Sequence, residues 1–145
     1  MICRDLTIVV LLMLGSGCGG SAPEHQRVAA DEGAVRLQRT MVDDGGVHFF
    51  TFLHEGKNVN FLIRRDGNGA LHSHLDACYS CYKYKLGFVV EERDVVCIAC
   101  RLAYNIDDEF WDYIGACAPI PIHHEIDLDT VVIEERLLEQ AARYF

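Results

Sequence analysis

Two C-x-x-C pairs carry the chemistry of this sequence: Cys78-Tyr79-Ser80-Cys81 and Cys97-Ile98-Ala99-Cys100, with fifteen residues between Cys81 and Cys97. A C-x-x-C turn reverses the backbone so that two thiolates converge. Two such turns joined by a hairpin enclose a tetrahedral volume suited to zinc, a single iron or an iron-sulfur cluster. The spacing points to a metal and leaves its identity open. Were the metal structural, its binding energy would be folding energy, on the order of 10 kcal/mol in zinc-finger peptides. Disulfides are the competing reading: one within each pair would make the pairs redox-active, the arrangement of a thiol-disulfide oxidoreductase. Against it, neither pair sits at a strand-to-helix start, where a helix dipole would lower a thiol pKa. A third reading is a structural zinc in a module that binds a partner protein.

Histidines form a second constellation. His72 and His74 lie two apart on a predicted strand and share a face with Asp76, a set of N and O donors that suits copper, zinc or iron as a second metal site. Solvent-facing or hydrogen-bonded histidines are the ordinary alternative. His123 and His124 alternate faces, so at most one joins them, and His48 and His54 stand too far apart to share a metal directly. Cys117 reads either as a fifth sulfur at the centre or as a buried free cysteine. Tyr79, Tyr82, Tyr84 and Phe88 surround the first pair, as a shield against water or as ordinary core packing. Phe110 and Trp111 read as core or interface anchors. The sequence holds no nucleophile-base motif, Gly-rich phosphate loop or paired carboxylates in a supporting context, so metal binding or electron transfer is expected rather than catalysis.

The elements that must position these residues are mostly strands. Val35 to Gln38 alternates, Asp43-Asp44-Gly45-Gly46 turns, and Val47 to His54 is rich in aromatic and β-branched residues. After Glu55-Gly56-Lys57, a period of two buries Val59, Phe61 and Ile63 on one face, and Asp66-Gly67-Asn68-Gly69 turns the chain again. Ala70 to Leu75 then leads into the first cysteine pair. Gly87 to Val90 and Val95-Val96 flank Glu91 to Asp94 as a hairpin, which sets the second pair at the end of the returning strand. Leu102 to Tyr104 continues extended, Ile106 to Tyr113 suggests one or two helical turns, and Gly115 to Pro121 reads as a loop. A last hairpin around Asp129-Thr130 precedes a helix over Glu134 to Tyr144. The predicted fold is α+β: a small, mostly antiparallel β domain with a zinc-ribbon or rubredoxin-like four-cysteine knuckle and a C-terminal helix.

Residues 34–145 make up that domain. Ahead of it, residues 18–33 read as a flexible tether with little apolar periodicity, in which Gly33 weakens a helix over Val28 to Leu37. Residues 1–17 read as a signal peptide of lipoprotein type. Leu6 to Leu14 is apolar but for Thr7, and nine residues rise only ~14 Å as a helix, against ~30 Å of hydrocarbon. The small residues before Cys18 resemble a lipobox, with the leucine four positions ahead of the cysteine. The expectation is export, lipidation at Cys18 and attachment to a membrane on its periplasmic or extracytoplasmic side. Export puts the cysteines in an oxidising compartment, and the five beyond Cys18 are an odd number that a pure disulfide framework cannot absorb. The formal net charge of −9 repels phosphate backbones and so disfavours a nucleic-acid partner.

Taken in order, Asp76-Ala77-Cys78-Tyr79-Ser80-Cys81-Tyr82, Gly87-Phe88, Cys97-Ile98-Ala99-Cys100 and Gly115-Ala116-Cys117-Ala118-Pro119 resemble the bacterial FtrD-like membrane iron-sulfur-containing proteins. That family reads D-A-C-x-x-C-Y, a G-Y or G-F, C-x-x-C and G-G-C-N-P after a strand-rich lead-in, and the similarity runs over about residues 34–133. This chain has Ala116 and Ala118 where the family has glycine and asparagine, and Arg101 where a glycine is common. The resemblance implies iron or an iron-sulfur cluster as cofactor. It also implies a place in exported iron handling, beside an iron permease or a redox partner.

Overall fold

The computed structural model describes residues 22–111 and 117–145. Residues 1–17 and Cys18 lie outside them, so the signal segment and the lipidation site are not part of the fold described below.

The centre of the molecule is a five-stranded sheet in the order β1-β3-β4-β5-β9, formed by Gln26–Val28 (β1), Val47–His54 (β3), Lys57–Arg65 (β4), Leu71–Cys78 (β5) and Pro119–Pro121 (β9). Ala34–Gln38 (β2), Glu125–Asp127 (β10) and Thr130–Glu134 (β11) form a second sheet on one side of it. Phe88–Glu91 (β6), Asp94–Cys97 (β7) and Ala103–Asn105 (β8) form a third. Pairing is antiparallel throughout except for β1 on β3. The C-terminal helix Glu135–Ala141 (α1) follows, continued by a 3₁₀ turn over Ala142–Tyr144. This is the small α+β domain that the sequence predicts.

The central sheet is covered on both faces. On one side Phe50, Phe52, Val59, Phe61, Ile63 and Leu75 pack against Val35, Leu37, Val131, Ile133 and Leu138. On the other, Phe49 and Leu62 pack with Phe88, Val95, Tyr104, Ile106 and Trp111 around the first cysteines. Strand β4 therefore buries Phe61 through Arg64 without interruption, rather than one face only as its period of two suggests. A strand sandwiched between layers has no polar face to reveal its parity.

Three further expectations change. The segment read as a tether supplies β1, whose backbone pairs with Phe50 to Phe52, and Gly33 at φ +77° turns the chain into β2 in place of a helix. Residues 106–111 form turns rather than a helix; Asp112 and Tyr113 lie outside the described residues. Pro119–Pro121, read as loop, is an edge strand, a position that tolerates proline because no ladder donor is needed there.

Candidate metal centre

Each C-x-x-C begins on the last residue of a strand. Cys78 ends β5 and Cys97 ends β7, so the sheet fixes the first sulfur of each pair and the following turn brings the second back. The two turns share one device: the amide of Cys81 donates to Cys78 Sγ at 3.2 Å, and the amide of Cys100 donates to Cys97 Sγ. Such N–H···S bonds orient a sulfur and stabilise its thiolate form. The Cys81 carbonyl accepts from the Tyr84 amide and the Cys97 carbonyl from the Arg101 amide, both at 2.9 Å. Lys85 at φ +54° and Arg101 at φ +63° then carry the chain out of the turns in the left-handed region.

Tertiary pairing brings the two turns together. The amide of Ile98 donates to the Gly87 carbonyl at 3.1 Å. Asp76, two residues before Cys78, accepts from the Phe88 amide at 2.7 Å through Oδ1 and pairs with His25 Nε2 at 2.9 Å through Oδ2. Across these connections Cys78 Sγ lies 3.9 Å from Cys97 Sγ. The sulfurs of Cys81, Cys97 and Cys100 lie within 4.8 Å of one another, as do those of Cys78, Cys81 and Cys117. Cys117 arrives because β9 pairs antiparallel with β5, with Pro119 opposite Cys78, which sets Cys117 just ahead of the pairing. Its carbonyl accepts from the Tyr104 hydroxyl.

The donor set fits a metal. Four sulfurs at ~2.3 Å from one tetrahedral ion stand about 3.8 Å apart, close to the Cys78–Cys97 separation. The electrostatics agree. Burial, with the neighbouring thiols, pushes Cys81 up, and burial pushes Cys97 up to about 11. Burial also opposes ionisation of Cys100, yet the Leu102 amide and the thiols of Cys97, Cys117 and Cys81 hold it below its ordinary value. Burial and Cys100 raise Cys117. A packed set of thiols cannot lose all its protons without a cation, and a metal ion supplies that charge.

The histidines do not gather in the same way. Among the described residues, the ligand atoms of His72, His74 and Asp76 do not form one group within 4.8 Å. His72 Nε2 pairs with Asp66 at 2.8 Å, and Asp76 is held by His25 and Phe88. His74 is buried and stacked on Trp111 at 4.8 Å, and burial, with Arg64, His72 and His124 nearby, lowers it to about 3. His124 Nδ1 pairs with the Ser73 hydroxyl on the opposite face of β5, and His123 faces solvent. A shared strand face puts residues in a row, whereas a metal site needs partners folded over the row.

The aromatic ring around the first pair is likewise divided. Phe88 is fully buried beneath the sulfurs, but Tyr79, Tyr82 and Tyr84 are 51%, 38% and 58% exposed, so they do not shield the centre as a closed wall. Trp111 is a core anchor, while Phe110 is exposed.

Two supports escaped sequence reasoning. Arg64, fully buried, donates to the carbonyls of Ile106 and Asp108 at 2.8 and 2.7 Å and lies 4.1 Å over the Trp111 ring. It pins the turns over residues 106–109 that follow β8, and its signal is a charge following Phe61-Leu62-Ile63. His25 lay in the presumed tether, where no pattern marked it.

A cavity of about 240 Å³ opens beside Cys78, Cys81 and Cys97, walled by Ala22, Pro23, His25, Tyr82, Lys85, Leu86 and the C-terminal Phe145. No helix among the described residues is long and apolar enough to cross a membrane. No curated protein matches the chain. A family description matches residues 42–145, a span that includes both cysteine pairs and Cys117, and by that match the chain belongs to the FtrD-like family of membrane iron-sulfur containing proteins.

Proposed function

We propose that the chain is an exported electron carrier, tethered by lipid at Cys18, that holds iron through Cys78, Cys81, Cys97 and Cys100 and serves an iron-uptake system. The observation that carries this reading is the Cys78–Cys97 approach of 3.9 Å between turns that the sequence separates, together with the two overlapping sulfur groups. The family description supplies the iron-sulfur character and the membrane association. Iron bound in such a thiolate set would supply one-electron chemistry at a potential set by the hydrogen bonds to the sulfurs and their exposure.

The chain's own residues do the remainder. The amides of Cys81 and Cys100 donate to Cys78 and Cys97, which favours the thiolates and adjusts the potential of what they hold. Phe88, Val95 and Tyr104 exclude water from the inner side. Cys81 and Cys100, only half-buried, leave an outer edge by which an electron can pass.

Anaerobic purification followed by metal analysis, an absorption spectrum and Mössbauer spectroscopy tests the reading. Stoichiometric iron with visible charge-transfer bands is the expected result, and the Mössbauer spectrum separates one iron from a bridged cluster. Colourless stoichiometric zinc would assign the site to structure instead. A metal-free protein with two disulfides would assign it to thiol exchange.

A further inference from the structure

Beside the cysteine centre runs a five-residue segment, Tyr82-Lys83-Tyr84-Lys85-Leu86, in which every residue is exposed. Its backbone is fixed. The amides of Tyr84 and Lys85 donate to the carbonyls of Cys81 and Tyr82, both at 2.9 Å, and Lys85 sits at φ +54°. Tyr84 and Leu86 are 58% and 53% exposed, an apolar display that the rest of the fold leaves uncovered. We infer that this segment is the face the domain lays on an anionic lipid surface; the inference rests on the anchoring at Cys18 proposed above.

Three observations converge on a lipid occupant. The first is chemical. Tyrosine carries an apolar ring and a polar tip, and lysine an apolar stem and a charged head, the side chains that settle at a headgroup boundary. The second is charge. The chain is −9 overall and has three lysines, of which two are Lys83 and Lys85, and no acidic residue occurs between Asp76 and Glu91. An anionic surface attracts this face, whereas the chain as a whole is net acidic, so charge favours this orientation as well as the contact. The third is connectivity. Ala22 and Pro23 line the same cavity as Tyr82, Lys85 and Leu86. Only three residues separate Cys18 from Ala22, so four Cα steps span at most ~14 Å fully extended and a lipid on Cys18 enters the bilayer next to this face.

The consequence concerns the centre. Cys81 lies in the turn that presents the segment and lines the cavity beneath it. Docking in this way turns the outer edge of the sulfur cluster toward the headgroups, where its exchange partner is a component embedded in the bilayer rather than one diffusing in the aqueous phase.

The test uses the full chain mixed with vesicles of phosphatidylcholine alone or with phosphatidylglycerol. After sedimentation, the lysines are acylated by a water-soluble reagent and read by mass spectrometry. Lys57, the one lysine outside the segment, serves as internal reference; its ammonium donates to the Ala142 carbonyl. The expected result is that labelling of Lys83 and Lys85 falls severalfold against Lys57 on the anionic vesicles and not on phosphatidylcholine alone. The double variant Tyr84→Ser/Leu86→Ser should still sediment and keep its visible spectrum, but lose that protection. A chain that sediments with Lys83 and Lys85 fully labelled overturns the orientation and leaves the anchor standing. One that stays in the supernatant overturns both. Protection by native membranes but not by lipid vesicles assigns the face to a protein partner and overturns the lipid reading.

Discussion

Gly87 lies directly against the Asp76 carboxylate: a Cβ on this glycine would stand 2.6 Å from both of its oxygens. The contact lets Asp76 reach the Phe88 amide and so joins the strand carrying the first cysteine pair to the hairpin carrying the second. Because Gly87 also has φ +69°, any side chain there meets both a backbone penalty and a clash. Gly87→Ala should therefore destabilise the domain by ~3 kcal/mol, from the left-handed penalty plus a weakened bond to a charged acceptor. Urea unfolding of the two proteins gives the difference. An unchanged midpoint would show that the Asp76 clamp contributes nothing.

Cys81 belongs to both sulfur groups, whereas Cys117 belongs to one. Cys81→Ser and Cys97→Ser should each abolish metal retention, and Cys117→Ser should keep the metal with a shifted spectrum. Metal content after gel filtration distinguishes them. Loss of the metal in Cys117→Ser as well would make Cys117 an obligatory ligand.

Removing the metal should cost far more stability than any single core substitution, since its binding energy approaches the ~5–15 kcal/mol that a domain of this size retains. Thermal melts before and after anaerobic chelation test this, with a large fall in midpoint expected. Chelation that leaves the melt unmoved would mean that the sheets hold the sulfurs in place without help.

The pH dependence follows from His74. Burial lowers its folded pKa to about 3, against ~6.5 in the unfolded chain. Above ~6.5 the imidazole is neutral in both states, and its contribution to stability is fully present. As pH falls below that value the unfolded chain takes up a proton that the folded one refuses, so stability declines down to about 3. The slope contributed by this one group approaches ~1.4 kcal/mol per pH unit. His74→Leu should flatten the decline in urea midpoints measured from pH 7 to pH 4. An equally steep decline in the variant would place the proton elsewhere.

Arg64→Met replaces the buried guanidinium by an uncharged chain and leaves the carbonyls of Ile106 and Asp108 without donors. The expected cost is ~3 kcal/mol, with faster amide exchange over residues 106–111 and metal retained by the paired cysteines. Hydrogen exchange with metal analysis reads both, and protection unchanged in that stretch would remove Arg64 from any role in positioning it.

Local sequence determined much of this protein. A C-x-x-C turn dictates its own geometry, because the amide three residues on reaches the first sulfur whatever surrounds it. The hairpins around Glu55-Gly56-Lys57 and Glu91 to Asp94 follow from turn chemistry and alternation, as does the one expected around Asp129-Thr130, whose turn falls one residue earlier, on Leu128-Asp129; the terminal helix is legible too. What covers a strand, and what lies across from it, is decided by residues far away in the chain. Only the tertiary structure buried both faces of β4, drew β1 out of an apparent tether and set Pro119 opposite Cys78 so that Cys117 joins the sulfurs. It likewise dispersed His72, His74 and Asp76 to separate partners, Asp66, Trp111 and His25, although their spacing put them on one face. Parity along a strand fixes the direction of a side chain, whereas a site requires several directions to converge, and convergence is a property of packed layers.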